Sequence, residues 1–320
     1  MQLCQVALSG PTDRREETIR WYTEGLGFLD AGGTTFAGAD MAEVQGINHP
    51  TVDFDLDWVV DRSEFMQLEL FAYRQPTPRP KRRDRSPADV GYSVLCIHVL
   101  DFDGTLARLA ELGTTPLGPV LGARGDRHVT VEDPAGAQIE LFERDIQLGN
   151  AVETALRPEV NAAVRGVRLT VLDPARTDIW LTEVLGLRRL SDSVHGDEHR
   201  TLWNVPEEAG ASTVVAYTDA RSFIEVVSYE RGSADWPADY QLSDQGILNI
   251  ALGTPDRDTY FAVRTRVEEG PYVLNRHLVL ADDLEADYAL DDQGFSVELI
   301  YMEPAQYQNF GFRPRTVHEA

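Results

Sequence analysis

Cationic side chains are scarce in this chain. Its 29 Lys and Arg residues face 53 Asp and Glu, for a formal charge of −24, and a field of that sign repels polyanions. Nucleic acid and anionic membrane surfaces are excluded as partners, and a strongly solvated surface is expected. Cysteine is nearly absent too: Cys4 and Cys96 are the only two, each inside an apolar run. No disulfide framework is available, and a reducing compartment is expected. No apolar run reaches bilayer-spanning length, and the N-terminal MQLCQVALSG carries no basic segment ahead of a long apolar stretch. The expectation is a soluble, cytoplasmic protein.

Apolar and aromatic residues are plentiful. Hydrophobic content is 42%, with five Trp, eleven Tyr and twelve Phe in 320 residues, enough for about two globular domains. The chain also repeats itself. RWYTEGLGF at 20–28 returns as IWLTEVLGL at 179–187, MQLELFAY at 66–73 as SFIEVVSY at 222–229, and DPAGAQIELFE at 133–143 as LDDQGFSVELIY at 290–301. The order is the same and the offset is about 156 to 159 residues, which marks a tandem duplication. Domains are expected at 1–146 and 165–305, with a linker over 147–164 and a tail over 306–320.

Each half divides again. QLCQVAL predicts a strand, and DRREETIRWYTEGLG a helix with Ile19, Tyr22 and Leu26 on one face, opened by Asp13 and closed by glycine. TVDFDLDWVV and FMQLELFAY predict a hairpin. After a basic, proline-rich loop over 74–91 the order recurs: strand SVLCIHVL, helix FDGTLARLAELG, a short strand near PLGPV, then strands RHVTVED and AQIELFE. Strand, helix and three strands, four times over, gives an α+β class with mainly antiparallel sheets.

WYTEGLGF, VLDFDGTLARLAELG and DPAGAQIEL carry a resemblance to the vicinal oxygen chelate superfamily, which includes glyoxalase I, extradiol dioxygenases, and fosfomycin and bleomycin resistance proteins. The resemblance covers nearly all of both halves. It implies four βαβββ modules forming two glyoxalase-like domains whose sheets curl into cups. It also implies a divalent metal at a cup floor, held by residues from the first and last strands of each module.

Side chains two apart share a strand face, which puts Gln5, Glu69 and Glu140 at the positions where the family keeps ligands. The fourth position holds Val94, which coordinates nothing. His98 lies on the same face as Val94 but roughly 13 Å along the strand, so His128, in RHVTVED, is the better candidate to reach inward. The resemblance therefore implies one divalent ion (Mg, Mn, Zn or Fe) in the N-terminal domain on Gln5, Glu69 and Glu140, with His128 or water completing the set. An oxygen-rich set favours Mg²⁺ or Mn²⁺ over Zn²⁺. The second half has Gly166, Glu225, Asn249 and Glu298 at the matching positions, with Arg168 placed to neutralise a carboxylate; no metal is expected there. Extradiol dioxygenases of similar length need two histidines and a glutamate where this chain has Gly166, Asn249 and Glu298, so ring cleavage is disfavoured.

Two functions lead, with metal-free acid–base catalysis by Glu69 and Glu140 as a third. One is an isomerase, epimerase or lyase in which a cation polarises a substrate oxygen, Glu140 acts as ligand or base, and His98 or His128 carries a proton. The other is a metal-free protein that sequesters a small molecule in an aromatic-lined groove, with the tail YQNFGFRPR at 307–315 as a cover. Either way the partner is a small molecule, and the chain is expected to be a monomer or a homodimer.

Overall fold

The computed structural model describes residues 1–81, 85–146, 148, 157–231 and 240–315. Residues 82–84 of the basic loop, most of the expected linker (147 and 149–156) and the end of the tail (316–320) lie outside the described residues. The first module comprises β1 (Gln2–Ser9), α1 (Arg15–Arg20), β2 (Leu29–Gly38), α2 (Ala39–Gln45), β3 (Val52–Val60) and β4 (Gln67–Gln75). The second has β5 (Gly91–Val99), α3 (Phe102–Glu111), β6 (His128–Glu132) and β7 (Gln138–Phe142). The third has β8 (Ala162–Thr170), α4 (Pro174–Ile179), β9 (Arg188–Arg189), α5 (His199–Leu202), β10 (Ser212–Thr218) and β11 (Phe223–Tyr229). The fourth has β12 (Gly246–Thr254), α6 (Arg257–Glu269), β13 (Val273–Leu274), β14 (Leu278–Ala281), β15 (Leu284–Leu290) and β16 (Ser296–Met302). Among the described residues no helix is long and apolar enough to cross a membrane.

Local signals hold in most places. Asp101, Asp173 and Asp256 cap α3, α4 and α6 by accepting backbone N–H bonds in the first turn. The repeated WYTEGL and WLTEV segments continue α1 and α4 in the same way, as π turns at Trp21–Leu26 and Trp180–Val184. Gly27, at φ 82°, then ends the first of them in a conformation that glycine adopts without strain. Asp13 does not cap α1; it lies in a 3-10 turn, Thr12–Arg14, that precedes the helix. The short strand expected near PLGPV does not form. Pro116 and Pro119 lack the N–H a ladder needs, and the segment makes a single bridge, Leu121 to His128.

The strands assemble into two open, mainly antiparallel sheets, ordered β13-β15-β16-β12-β1-β4-β3-β2, with β14 on β15, and β6-β7-β5-β8-β11-β10-β9. Within every module the first and last strands pair in parallel, as β1 does with β4 and β5 with β7. Between modules the pairing crosses the duplication: β1 lies against β12 and β5 against β8. One cup thus combines the first and fourth modules and the other the second and third. The boundaries drawn at 146 and 165 divide the sequence repeat, and the sheets cut across them.

A single apolar core joins residues of both sheets to the helices, among them Val6, Trp21, Tyr22, Leu68, Ile97, Val167, Trp180, Leu252 and Leu299. The residues of opposite parity on the same strands are left to line the cups.

Candidate functional site

In the cup of the first and fourth modules, strand register decides what meets. Gln5 sits opposite Gln67 on β4 and Ala251 on β12, and Ala7 opposite Glu69 and Asn249. Glu298 registers with Ala251. Gln5, Glu69, Asn249 and Glu298 therefore share one cup face, and all four are buried.

The Gln5 Nε2 donates to Glu298 Oε2 at 3.2 Å. Each carboxyl is also met by the aromatic residue opposite it. Trp58, paired with Glu69, donates its Nε1–H to Oε1 at 3.0 Å; Tyr288 is paired with Glu298, and its hydroxyl pulls the pKa of that carboxyl down. Burial raises the pKa of Glu69 to about 7, against the pull of the Trp58 bond. Burial, reinforced by the charge of Glu69, drives Glu298 up as well. Among the described residues no Lys, Arg or His forms an ion pair with either group.

The cup encloses a cavity of about 70 Å³ walled by Phe36, Phe54, Phe71, Leu278, Met302 and Phe310. The tail closes it. Tyr307 and Phe312 stack on Phe65, Arg313 bonds the Glu64 carbonyl and side chain, and the Arg315 N–H bonds the Asp30 carbonyl. The segment leaves the fourth module and docks on the first. In one amide orientation the Gln67 Nε2 donates to Gln5 Oε1 at 2.8 Å; in the other it donates to the tail carbonyls of Phe310 and Gly311, at 3.0 and 2.6 Å.

Glu140 is not part of this cup. It lies on β7 in the other sheet, so the expected set of Gln5, Glu69 and Glu140 is not brought together, and Glu298 stands where Glu140 was placed. The cause is pairing between distant strands, which local alternation does not encode.

Two of the four floor positions in the cup of the second and third modules are closed by packing. Val94 is fully buried in the apolar cluster that also holds Cys96, Trp203 and Phe223. A Cβ at Gly166 would lie 2.4 Å from the Phe223 carbonyl oxygen and 2.6 Å from its ring, so no ligating side chain fits there. The other two positions hold Glu140 and Glu225, and His195, from the segment between β9 and α5, bridges them. Its Nδ1 is 2.6 Å from Glu225 Oε2 and its Nε2 3.2 Å from Glu140 Oε1. Glu140 Oε1 also meets His128 Nδ1 at 2.9 Å, and its Oε2 accepts the Trp203 Nε1–H at 2.7 Å.

Burial opposes charge on all three bridging groups, yet their mutual attraction wins. The His195 pKa rises to about 10 and that of Glu140 falls to about 2. Arg168 shares this face, stacked with its Cζ 3.5 Å from the centroid of the Trp203 ring and donating to the Tyr229 hydroxyl at 3.0 Å. It reaches neither carboxylate as a direct ion pair, and its charge nonetheless helps to hold Glu225 down. Above the floor opens a cleft of about 900 Å³, lined in part by His128, Phe142 and His195.

His98 is held elsewhere. Arg62 Nη2 lies 2.9 Å from its Nδ1, and burial lowers its pKa to about 4, so it is a neutral member of a structural network with Arg62, Asp145 and Arg165. The chain order alone did not point to His195 or Trp203. They lie between β9 and β10, where the repeat is irregular, and their only signal is a histidine in the polar segment SDSVHGDEHR.

No protein-family model matches the chain, and no curated protein does. Solved structures do. Glyoxalase I from Zea mays superposes with a TM-score of 0.61 at 16% identity over 96% of this chain and 94% of that one. A "putative dioxygenase" from Bacillus subtilis subsp. subtilis str. 168 gives 0.61 at 15% identity over 100% and 99%. Likeness at such identities is a likeness of fold, and it spans the whole molecule: the chain has the fold of the vicinal oxygen chelate superfamily, two open cups built from four βαβββ-type modules.

Proposed function

We propose that the protein is an enzyme that relocates a proton on a small oxygenated organic substrate in the cup of the first and fourth modules. A divalent cation would be held by Gln5, Glu69 and Glu298, with Asn249 on the same face. One observation supports this above the rest. Two buried carboxyls share that floor without a cationic partner among the described residues, whereas Glu140 and Glu225 already enclose a histidine. Burying carboxylates without a counter-charge is costly, and a donor set of carboxylate and amide oxygens fits a hard ion such as Mg²⁺ or Mn²⁺.

Bound there, such an ion supplies Lewis acidity to a substrate oxygen. The chain's own groups divide the remaining work. Glu298, which accepts from Gln5, is fixed in place as a ligand. Among the described residues Glu69 is bonded only at Oε1, by Trp58, so Oε2, the freer oxygen of a carboxylate that also serves as a ligand, is the atom assigned to take a proton from substrate carbon and return it. Phe36, Phe54, Phe71 and Phe310 of the tail give that transfer apolar surroundings. The cavity of about 70 Å³ suits a small substrate group. Isomerisation, epimerisation and elimination all share this proton step.

Solvent exchange tests it. Loaded with Mg²⁺ or Mn²⁺ in D₂O, the wild type should place deuterium on carbon in at least one of a panel of small hydroxycarbonyl compounds, and Glu69→Gln should abolish the exchange. Absence of exchange across the panel, together with ligand binding that needs no metal, would replace this function with sequestration.

A further inference from the structure

The second cup holds a cluster that the proposed reaction does not use. His128 Nδ1, a Glu140 carboxylate oxygen and His195 Nε2 converge, all within 4.8 Å of one another. They come from three places: β6, β7 and the segment before α5. We infer that these three side chains form a second divalent-metal site, selective for borderline ions of the Zn²⁺, Ni²⁺ or Fe²⁺ kind and facing the cleft of about 900 Å³.

Spacing is the first argument. Ligands about 2.0 to 2.1 Å from a tetrahedral ion stand about 3.3 Å apart. The Glu140 Oε1 lies 2.9 Å from His128 Nδ1 and 3.2 Å from His195 Nε2, so small shifts admit an ion.

The outer contacts are the second argument. A metal-bound histidine usually has its other nitrogen fixed by a carboxylate. Glu225 does this for His195, with Oε2 2.6 Å from Nδ1 and Oε1 accepting the backbone N–H groups of Val194 and His195 at 2.9 and 3.0 Å. Nε2 is thereby aimed at Glu140, and an ion entering there replaces the proton His195 holds between the two carboxylates, so binding releases one proton to solvent. Trp203 holds the Glu140 Oε2 at 2.7 Å, leaving Oε1 turned toward both imidazoles. Glu225 and Trp203 are positioning residues in this account.

Donor type is the third argument. Two imidazoles and one carboxylate suit borderline ions better than Mg²⁺, so the two cups differ in the metal they select. His128 and His195 line the cleft while Glu140 is fully buried. An ion held by all three therefore keeps an open position toward the cleft, the arrangement of a catalytic rather than a sealed structural site.

Cobalt(II) is the probe. Titrating the full chain with Co²⁺ should give visible d–d absorption for one ion per chain on imidazole ligands. His128→Gln and His195→Gln should remove it, Glu225→Gln should weaken binding about 10- to 100-fold, and Glu69→Gln and Glu298→Gln should leave it intact. His128 is at the rim, so its variant carries the test even where His195→Gln fails to fold. Absence of the band at saturating Co²⁺, or a band that survives His128→Gln, would show a purely ionic cluster and overturn the site. A band lost in Glu69→Gln but kept in His128→Gln would assign the ion to the first cup and equally overturn it.

Discussion

Gln5 and Glu298 stand 293 positions apart in the chain and meet at 3.2 Å. Their contact joins the first module to the fourth, and it is why the cup that collects unpaired carboxyls is not contained in either half of the duplicated sequence.

The tail is tied to this floor through Gly311. At φ 76° its backbone is left-handed, and a Cβ there would lie 2.2 Å from Trp58 Cγ, the indole that holds Glu69. Gly311→Ala should cost more than about 1 kcal/mol and release the tail from the cup. Thermal unfolding combined with protease cleavage near 305 measures both effects; unchanged protection would show that the tail does not depend on this contact.

Arg168 is the cation buried beside Glu140 and Glu225. Arg168→Met removes that charge while filling much of its volume, leaving His195 as the one cation between two buried carboxylates. No ion pair is broken, so the expected loss is about 1 to 3 kcal/mol, from the hydrogen bond to Tyr229 and the stack on Trp203, read from denaturant unfolding at neutral pH. Arg168→Lys should recover little, because an ammonium does not reproduce the planar stack on Trp203.

His98 gives a pH signature. Burial, helped by the charges of Arg62 and Arg165 against that of Asp145, lowers its pKa from 6.5 to about 4. The folded state therefore binds fewer protons than the unfolded state between these values. Stability is fully present above about pH 6.5 and falls as pH drops toward 4, by up to about 3 kcal/mol from this residue. His98→Gln should flatten that part of the curve relative to wild type; an identical acid profile would contradict the assignment.

Much of the fold is legible in the sequence because it is local. Alternation on QLCQVAL, FMQLELF and AQIELFE correctly turns Gln5, Glu69 and Glu140 toward cup interiors, and the Asp caps and the repeated WYTEGL and WLTEV segments fix the helices. Which cup each strand joins is a different matter. It depends on β1 finding β12 rather than β5, a choice made by the packing of whole modules that no short window contains. Glu298 and Asn249 were visible as matching positions, but not as neighbours of Gln5. His195 and Trp203 come from an irregular connection and were not foreseen, whereas His128 was, as a side chain able to reach inward. Val94 and Gly166 read as missing ligands; at Gly166 the structure gives the reason, because Phe223 occupies that space.

Metal binding by point variants tests the central claim most directly. Equilibrium Mn²⁺ binding to the full chain should show one ion that is lost in Glu69→Gln and in Glu298→Gln and retained in Glu140→Gln. Retention in the first two with loss in the third would contradict the account, because it would move the hard-metal site out of the cup that Gln5 and Glu298 close.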